Sequence, residues 1–192
     1  LLREIFAQLL EINTAVDSGE TTSAAKAMAA RLRAAGFAES DIQILGPAPH
    51  KHNLVVRYRG TGKQKPLLLL AHLDVVEAKR SDWTLEPFQL TEKDGFFYGR
   101  GTGDQKAMCA IWVANLIRWK REGYKPDRDL IVALTADEEG GKFNGVEWLV
   151  KNHRSLIDSE LCINEGGFGE SKNGKRFYNQ VQVAEKYVVT YQ

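Results

Sequence analysis

Three short apolar runs constrain the fold more than anything else in this sequence: "LLLLA" at 67–71, "LIVAL" at 130–134 and "ELCIN" at 160–164. Apolar runs of this length, without polar alternation, fit strands buried on both faces. Helical spacing fills the intervals between them and the region before them. Helices are expected over 2–12, over 21–36 with Thr or Ser capping the start and Gly36 ending it, from Asp104 to a stop at Gly123, and over 145–153. In the third of these, Ala107, Ala110, Ile111, Ala114 and Ile117 share the expected core face. A strand over 53–60, a polar turn "TGKQKP" at 61–66, a tight hairpin turn at Asn173 and Gly174 and a half-exposed strand within 177–192 complete the reading. Strands alternating with helices predict an α/β fold, layered α/β/α around a largely parallel or mixed central sheet.

Each run gives way to ionisable side chains. His72 and Asp74 follow the first, Asp137, Glu138 and Glu139 the second, and Glu165 the third, while Asp104 sits where the long helix begins. The carboxyl ends of parallel strands meet at one sheet edge, so these residues are expected to converge there. Such a concentration of acid needs compensation, because mutual repulsion and desolvation oppose it. The chain as a whole does not provide it: the net charge is +1, and its 26 Lys and Arg residues are scattered. That scatter also gives no footprint for nucleic acid or an anionic membrane. No apolar run is long enough to cross a bilayer, so a soluble protein is expected.

Two divalent metals would compensate the acids. Zinc accepts imidazole nitrogen and carboxylate oxygen, and two ions about 3.5 Å apart need a bridging carboxylate, for which Asp104 at a rigid helix start is the natural choice. Of the adjacent Glu138 and Glu139, one is needed as ligand and the other can act as base. In "HLD" the strand alternation puts His72 and Asp74 on one face, where the Asp74 carboxylate can orient the ring. The Gly-rich "YGRGTGD" is a poor nucleotide loop, because Asp104 stands where the dinucleotide fingerprint needs its third glycine and an acid there repels phosphate. Cys109 and Cys162 read as buried thiols in a helix and a core strand.

"AHLDVV", "GRGTGDQK", "TADEEGG" and "INEGG", in this order and spacing, resemble the di-zinc metallopeptidase family of aminoacylase, carnosinase, glutamate carboxypeptidase and succinyl-diaminopimelate desuccinylase. The resemblance implies a zinc-peptidase-like catalytic domain that hydrolyses an amide or peptide bond in a small peptide or N-acyl amino acid. It implies His72, Asp104, Glu139 and Glu165 as ligands of two zinc ions, with cobalt or manganese as alternatives. Asp104 would bridge, with a cis peptide to Gln105, Glu138 would be the general base and Asp74 the partner of His72. In the family a distal histidine completes the second ion, after a lid domain that forms the dimer surface. His50, His52 and His153 do not match that position. The chain is therefore expected to be the N-terminal portion of a catalytic domain, residues 1–192, truncated before the lid and poorly active alone, the full-length protein being a homodimer. A non-catalytic relative that keeps the fold as a ligand-binding module is the competing expectation; the intact Glu138 and Glu139 pair argues against it. The first residue is Leu1, so the compartment is left open.

Overall fold

The structure is a computed structural model that describes residues 1–167 and 169–180. Its centre is a five-stranded sheet formed by β1 (Ile42–Leu45), β2 (Asn53–Tyr58), β3 (Gln64–His72), β6 (Arg128–Thr135) and β7 (Leu161–Ile163), in the order β1-β2-β6-β3-β7. The short hairpin β4 (Thr91–Lys93) and β5 (Phe96–Tyr98) stands apart from it. β1 and β2 run antiparallel to their neighbours, whereas β6, β3 and β7 are parallel. The sheet is mixed. In register, His72 lies opposite Thr135 and Leu69 opposite Ile163, so the three parallel strands end on one edge.

One face of the sheet is covered by α1 (Leu2–Glu11), α2 (Thr21–Ala34) and α3 (Lys106–Glu122). α4 (Gly145–Asn152) and α5 (Arg154–Ile157) pack on the other, through Leu149, Trp148, Leu156 and Ile157. α1 forms because Ile5, Phe6, Leu9 and Leu10 recur on one face, and burying each such side chain stabilises by about 1.5–3 kcal/mol. In α2 the buried face is Thr21, Thr22, Ala24, Ala25, Met28, Ala29 and Leu32, mostly small side chains with one methionine and one leucine. α3 ends where Gly123 takes φ 66°, a conformation that glycine adopts without steric cost. Among the described residues, no helix is long and apolar enough to cross a membrane.

Several expectations need correction. The core face of α3 is Cys109, Ala110, Val113, Leu116 and Ile117, with Ala107 and Ala114 only half-buried and Ile111 exposed, because α1 and the β4–β5 hairpin leave that side of the helix open. α2 has no side-chain cap: the Thr21 and Thr22 hydroxyls donate to the His52 and Pro49 carbonyls, tying the helix start to the loop before β2. The polar stretch at 61–66 is only partly a turn, since β3 begins at Gln64 and its pairing with β6 shifts before Leu67. Cys162 is exposed rather than buried, because β7 is an edge strand that pairs with β3 alone among the described residues. The hairpin turn is found, joining β8 (Gly169–Lys172) to β9 (Lys175–Asn179) with Asn173 at φ 52° and Gly174 at φ 73°. The expected strand within 177–192 overlaps β9 at its start, and its remainder from residue 181 lies outside the described residues.

Candidate metal centre

His72 is the last residue of β3, and its side chain is only 2% exposed. Its Nδ1 lies 2.9 Å from the Asp74 main-chain carbonyl and 3.6 Å from the Asp74 carboxylate. The carbonyl therefore makes the shorter contact, where the sequence pointed to the carboxylate. In the neutral ring, with Nδ1 donating there, Nε2 is an acceptor. Yet Nε2 faces further acceptors: Asp104 Oδ1 at 3.0 Å, Glu165 Oε1 at 3.5 Å and Glu138 Oε2 at 3.8 Å. Acceptors converge on an acceptor only around a proton or a cation. Burial opposes a charge on His72, but the Asp74 carboxylate and then Glu165 outweigh it and raise the imidazole to about 9.

Asp74 is fully buried and has a second task that the sequence did not reveal. Its Oδ2 accepts the Glu139 amide at 2.9 Å, so it holds the turn after β6 as well as the ring of His72. That turn resolves the run of three acids. Asp137, at φ 53°, points away from the other two and into the protein, where its Oδ1 lies 2.9 Å from the Lys51 ammonium. Only Glu138 and Glu139 of the run belong to the acid cluster. Both carboxyls are pushed up: burial is the largest cause for each, followed for Glu139 by Asp104, while for Glu138 the Glu165, Asp74 and Asp104 charges add to burial against the pull of His72.

Asp104 comes from the glycine-rich loop, through a cis peptide to Gln105. The helix does not start on it, as its position had suggested: Gln105 is the N-cap residue of α3 and Lys106 the first helical one. Gln105 is buried and accepts the His72 amide through Oε1 at 3.2 Å. Lys106 is completely buried, and its Nζ donates to the Ile12 carbonyl at 2.7 Å, fastening this loop to the end of α1. Burial lowers its ammonium to about 8. At Gly101, φ 90°, any Cβ would meet Val75 Cγ1 at 2.9 Å and Lys106 Cδ at 3.0 Å, so the loop can follow this path only with glycine.

Two sets of donors result. His72, Glu138 and Glu165 form one, and His72, Asp104 and Glu139 the other; in each, the ligand atoms lie within 4.8 Å of one another. The donor chemistry fits a divalent ion, imidazole nitrogen with carboxylate oxygen suiting zinc. Of the seven residues that the sequence placed at this edge, His72, Asp74, Asp104, Glu138, Glu139 and Glu165 meet there and Asp137 does not, and Glu138 falls among the donors as readily as Glu139. Asp104 and Glu139 also border a cavity of about 490 Å³ lined by Val76, Trp83 and Arg100. Arg100 stacks over Trp83 at 5.2 Å and donates to the Glu77 carbonyl. The other histidines lie elsewhere: His50 packs against Phe143, His153 against Trp148, and His52 follows Lys51 in the loop before β2. Sequence reasoning missed Lys51 and Lys106, and named Gln105 only for its cis peptide. The one available signal was a lysine placed beside an apolar or helical segment, which is common on any surface.

Comparison with known proteins bears on the family and the fold. The profile of peptidase family M20/M25/M40 matches residues 68–186. The N-fatty-acyl-amino acid synthase/hydrolase PM20D1 of Xenopus tropicalis is 35% identical over 109 residues, which are 53% of this chain and 21% of that protein. The succinyl-diaminopimelate desuccinylase of Delftia acidovorans is 36% identical over 126 residues, covering 65% of this chain and 33% of the enzyme. Among solved structures, human carnosine dipeptidase 1 superposes with a TM-score of 0.69 at 17% identity, over 85% of this chain and 37% of that one. The chain thus spans a third or less of these two curated relatives, and the structural match supports the fold.

Proposed function

Because the chain belongs to peptidase family M20/M25/M40, we propose that it supplies the metal-holding part of a hydrolase that cleaves amide or peptide bonds in small peptides or N-acyl amino acids. The observation that carries this reading is the Nε2 atom of His72, which faces carboxylate oxygens at 3.0, 3.5 and 3.8 Å. His72, Asp104, Glu139 and Glu165 would hold two divalent ions, zinc first. When bound, the ions supply positive charge that polarises the scissile carbonyl and acidifies water.

The remaining work falls to this chain's own groups. Asp74 fixes the ring of His72 through its carbonyl and the position of Glu139 through its carboxylate. Glu138 is the proposed general base. Its side chain is about half exposed, and its carboxyl is raised by burial and by the neighbouring acids, which suits a group that takes a proton from water and returns it to the leaving amine. The cavity beside Asp104, with the Trp83 and Arg100 side chains on its wall, would receive part of the substrate. The chain is proposed as the N-terminal portion of the catalytic domain, consistent with its spanning 21% and 33% of the two relatives.

The test is metal content and turnover together. A polypeptide of the relatives' length dialysed against trace zinc should retain metal, and Asp104→Ala in it should lose the metal; a full-length parent that holds none overturns the reading. In a polypeptide of the relatives' length, Glu138→Gln should abolish hydrolysis of a dipeptide and N-acyl amino acid panel while keeping zinc. Loss of zinc along with activity would make Glu138 a ligand instead.

A further inference from the structure

Beneath the turn that carries Glu138 and Glu139 lies a buried ion pair that the proposed chemistry does not use. Lys51 and Asp137 are 3% and 2% exposed, with Nζ and Oδ1 2.9 Å apart. Lys51 also donates to the Val16 carbonyl at 2.6 Å, and Asp137 accepts the Phe143 amide at 3.2 Å through Oδ2. Two residues on, Asn53 grips the same turn, accepting the Ala136 amide at 2.9 Å. The space is closed: a Cβ at Gly141 would stand 2.3 Å from Asp137 Oδ2.

A buried ion pair is a weak source of stability, because desolvation offsets most of the attraction, and neutral replacements of both partners are often tolerated. Its better attested use is to specify one arrangement among several. Here the arrangement has an evident object. Asp137 takes a left-handed backbone, φ 53°, immediately before the two glutamates, and the Asp74 carboxylate receives the Glu139 amide only if the turn keeps that path. We propose that Lys51 and Asp137 are positioning residues that hold the turn at 136–141, so that Glu138 and Glu139 face His72 and Asp104 rather than solvent. This rests on the metal-centre reading for its purpose, and on the ion-pair geometry for its mechanism. Lys51 acts through Asp137 and touches no reacting group.

The experiment reads the turn without relying on metal. Amide hydrogen exchange is followed by NMR at Glu139 and, as internal reference, at Ile131 in β6, in the parent chain, in Lys51→Met and in the neutral pair Lys51→Met/Asp137→Asn; zinc affinity is measured by competition with a chromophoric chelator. Asparagine is chosen because it tolerates the left-handed backbone and still accepts the Phe143 amide. In Lys51→Met, exchange at Glu139 should accelerate at least about tenfold with Ile131 unchanged, and zinc affinity should fall by about 10- to 100-fold. The double variant should recover the melting temperature but neither the Glu139 protection nor the zinc affinity. It also provides the comparison if Lys51→Met alone fails to fold. Unchanged Glu139 protection in a folded variant, or recovery of protection and affinity together with the melting temperature, would overturn the proposal. A parent polypeptide of the relatives' length that binds no zinc, while the Glu139 amide still responds to Lys51→Met, would sink the metal reading and leave the positioning role standing.

Discussion

Asp137, Glu138 and Glu139 are consecutive, yet one is neutralised by a lysine and two face a histidine, and a single backbone angle separates their fates. At this scale chemistry follows from what each side chain meets rather than from its type. The cysteines make the same point. Cys109 is fully buried behind His72, donating its thiol to the His72 carbonyl, and burial pushes the thiol well above its ordinary value; Cys162 is exposed on β7. In the native chain a thiol reagent such as an aromatic disulfide should therefore modify one cysteine promptly and the second only on denaturation, with mass spectrometry placing the label on Cys162. Rapid labelling of Cys109 would mean that the floor beneath His72 opens.

Elements place these residues, and the joints between elements are where substitutions should tell. Gly145 begins α4 with ordinary backbone angles, but a Cβ there would stand 2.0 Å from Asn53 Oδ1 and 2.8 Å from the Ala136 nitrogen. Gly145→Ala should thus destabilise by about 1–3 kcal/mol through overpacking, read as a lower urea midpoint, whereas the same change in an open place would not. β2 and β6 are joined by a second clamp, with Asp129 accepting from Arg57 Nη1 and from the Gly60 amide, both at 2.9 Å. Burial raises the Asp129 carboxyl, but the Gly60 amide and Arg57 outweigh it and leave it below the usual aspartate value of 3.8. A carboxyl lowered in the folded state adds stability that is present above the unfolded value and lost as pH falls through the folded one. Asp129→Asn should then melt lower than the parent chain at pH 7, and the gap should close as the pH falls below about 4. A gap that persists at acid pH would show that packing, not ionisation, is what the substitution disturbs.

For the whole molecule, the cluster implies that metal and folding are coupled. If zinc binds the folded chain alone, a hundredfold excess over its dissociation constant stabilises by about 2.7 kcal/mol, so the melting temperature should rise with zinc, fall back with a chelator, and show no such response in Asp104→Ala. Much of this was legible in the sequence. The apolar runs ending in His72, Glu138, Glu139 and Glu165 announced the strands and their common edge, because period and length alone distinguish a buried strand, and a parallel sheet sends its carboxyl ends to one side. The face of α3 was misread, since helical spacing marks a stripe but not which neighbours will cover it. Cys162 was misplaced because an apolar strand looks alike at the centre of a sheet and at its edge. Lys51 could not be found at all: a lysine is recognisable as buried only once the fold brings Asp137 and the Val16 carbonyl to it, across 86 and 35 residues of chain. The sequence by itself determined which chemical groups meet and on which edge of the sheet. Only the tertiary structure decided which charge compensates which, because that depends on distances of a few ångströms between segments remote in the chain.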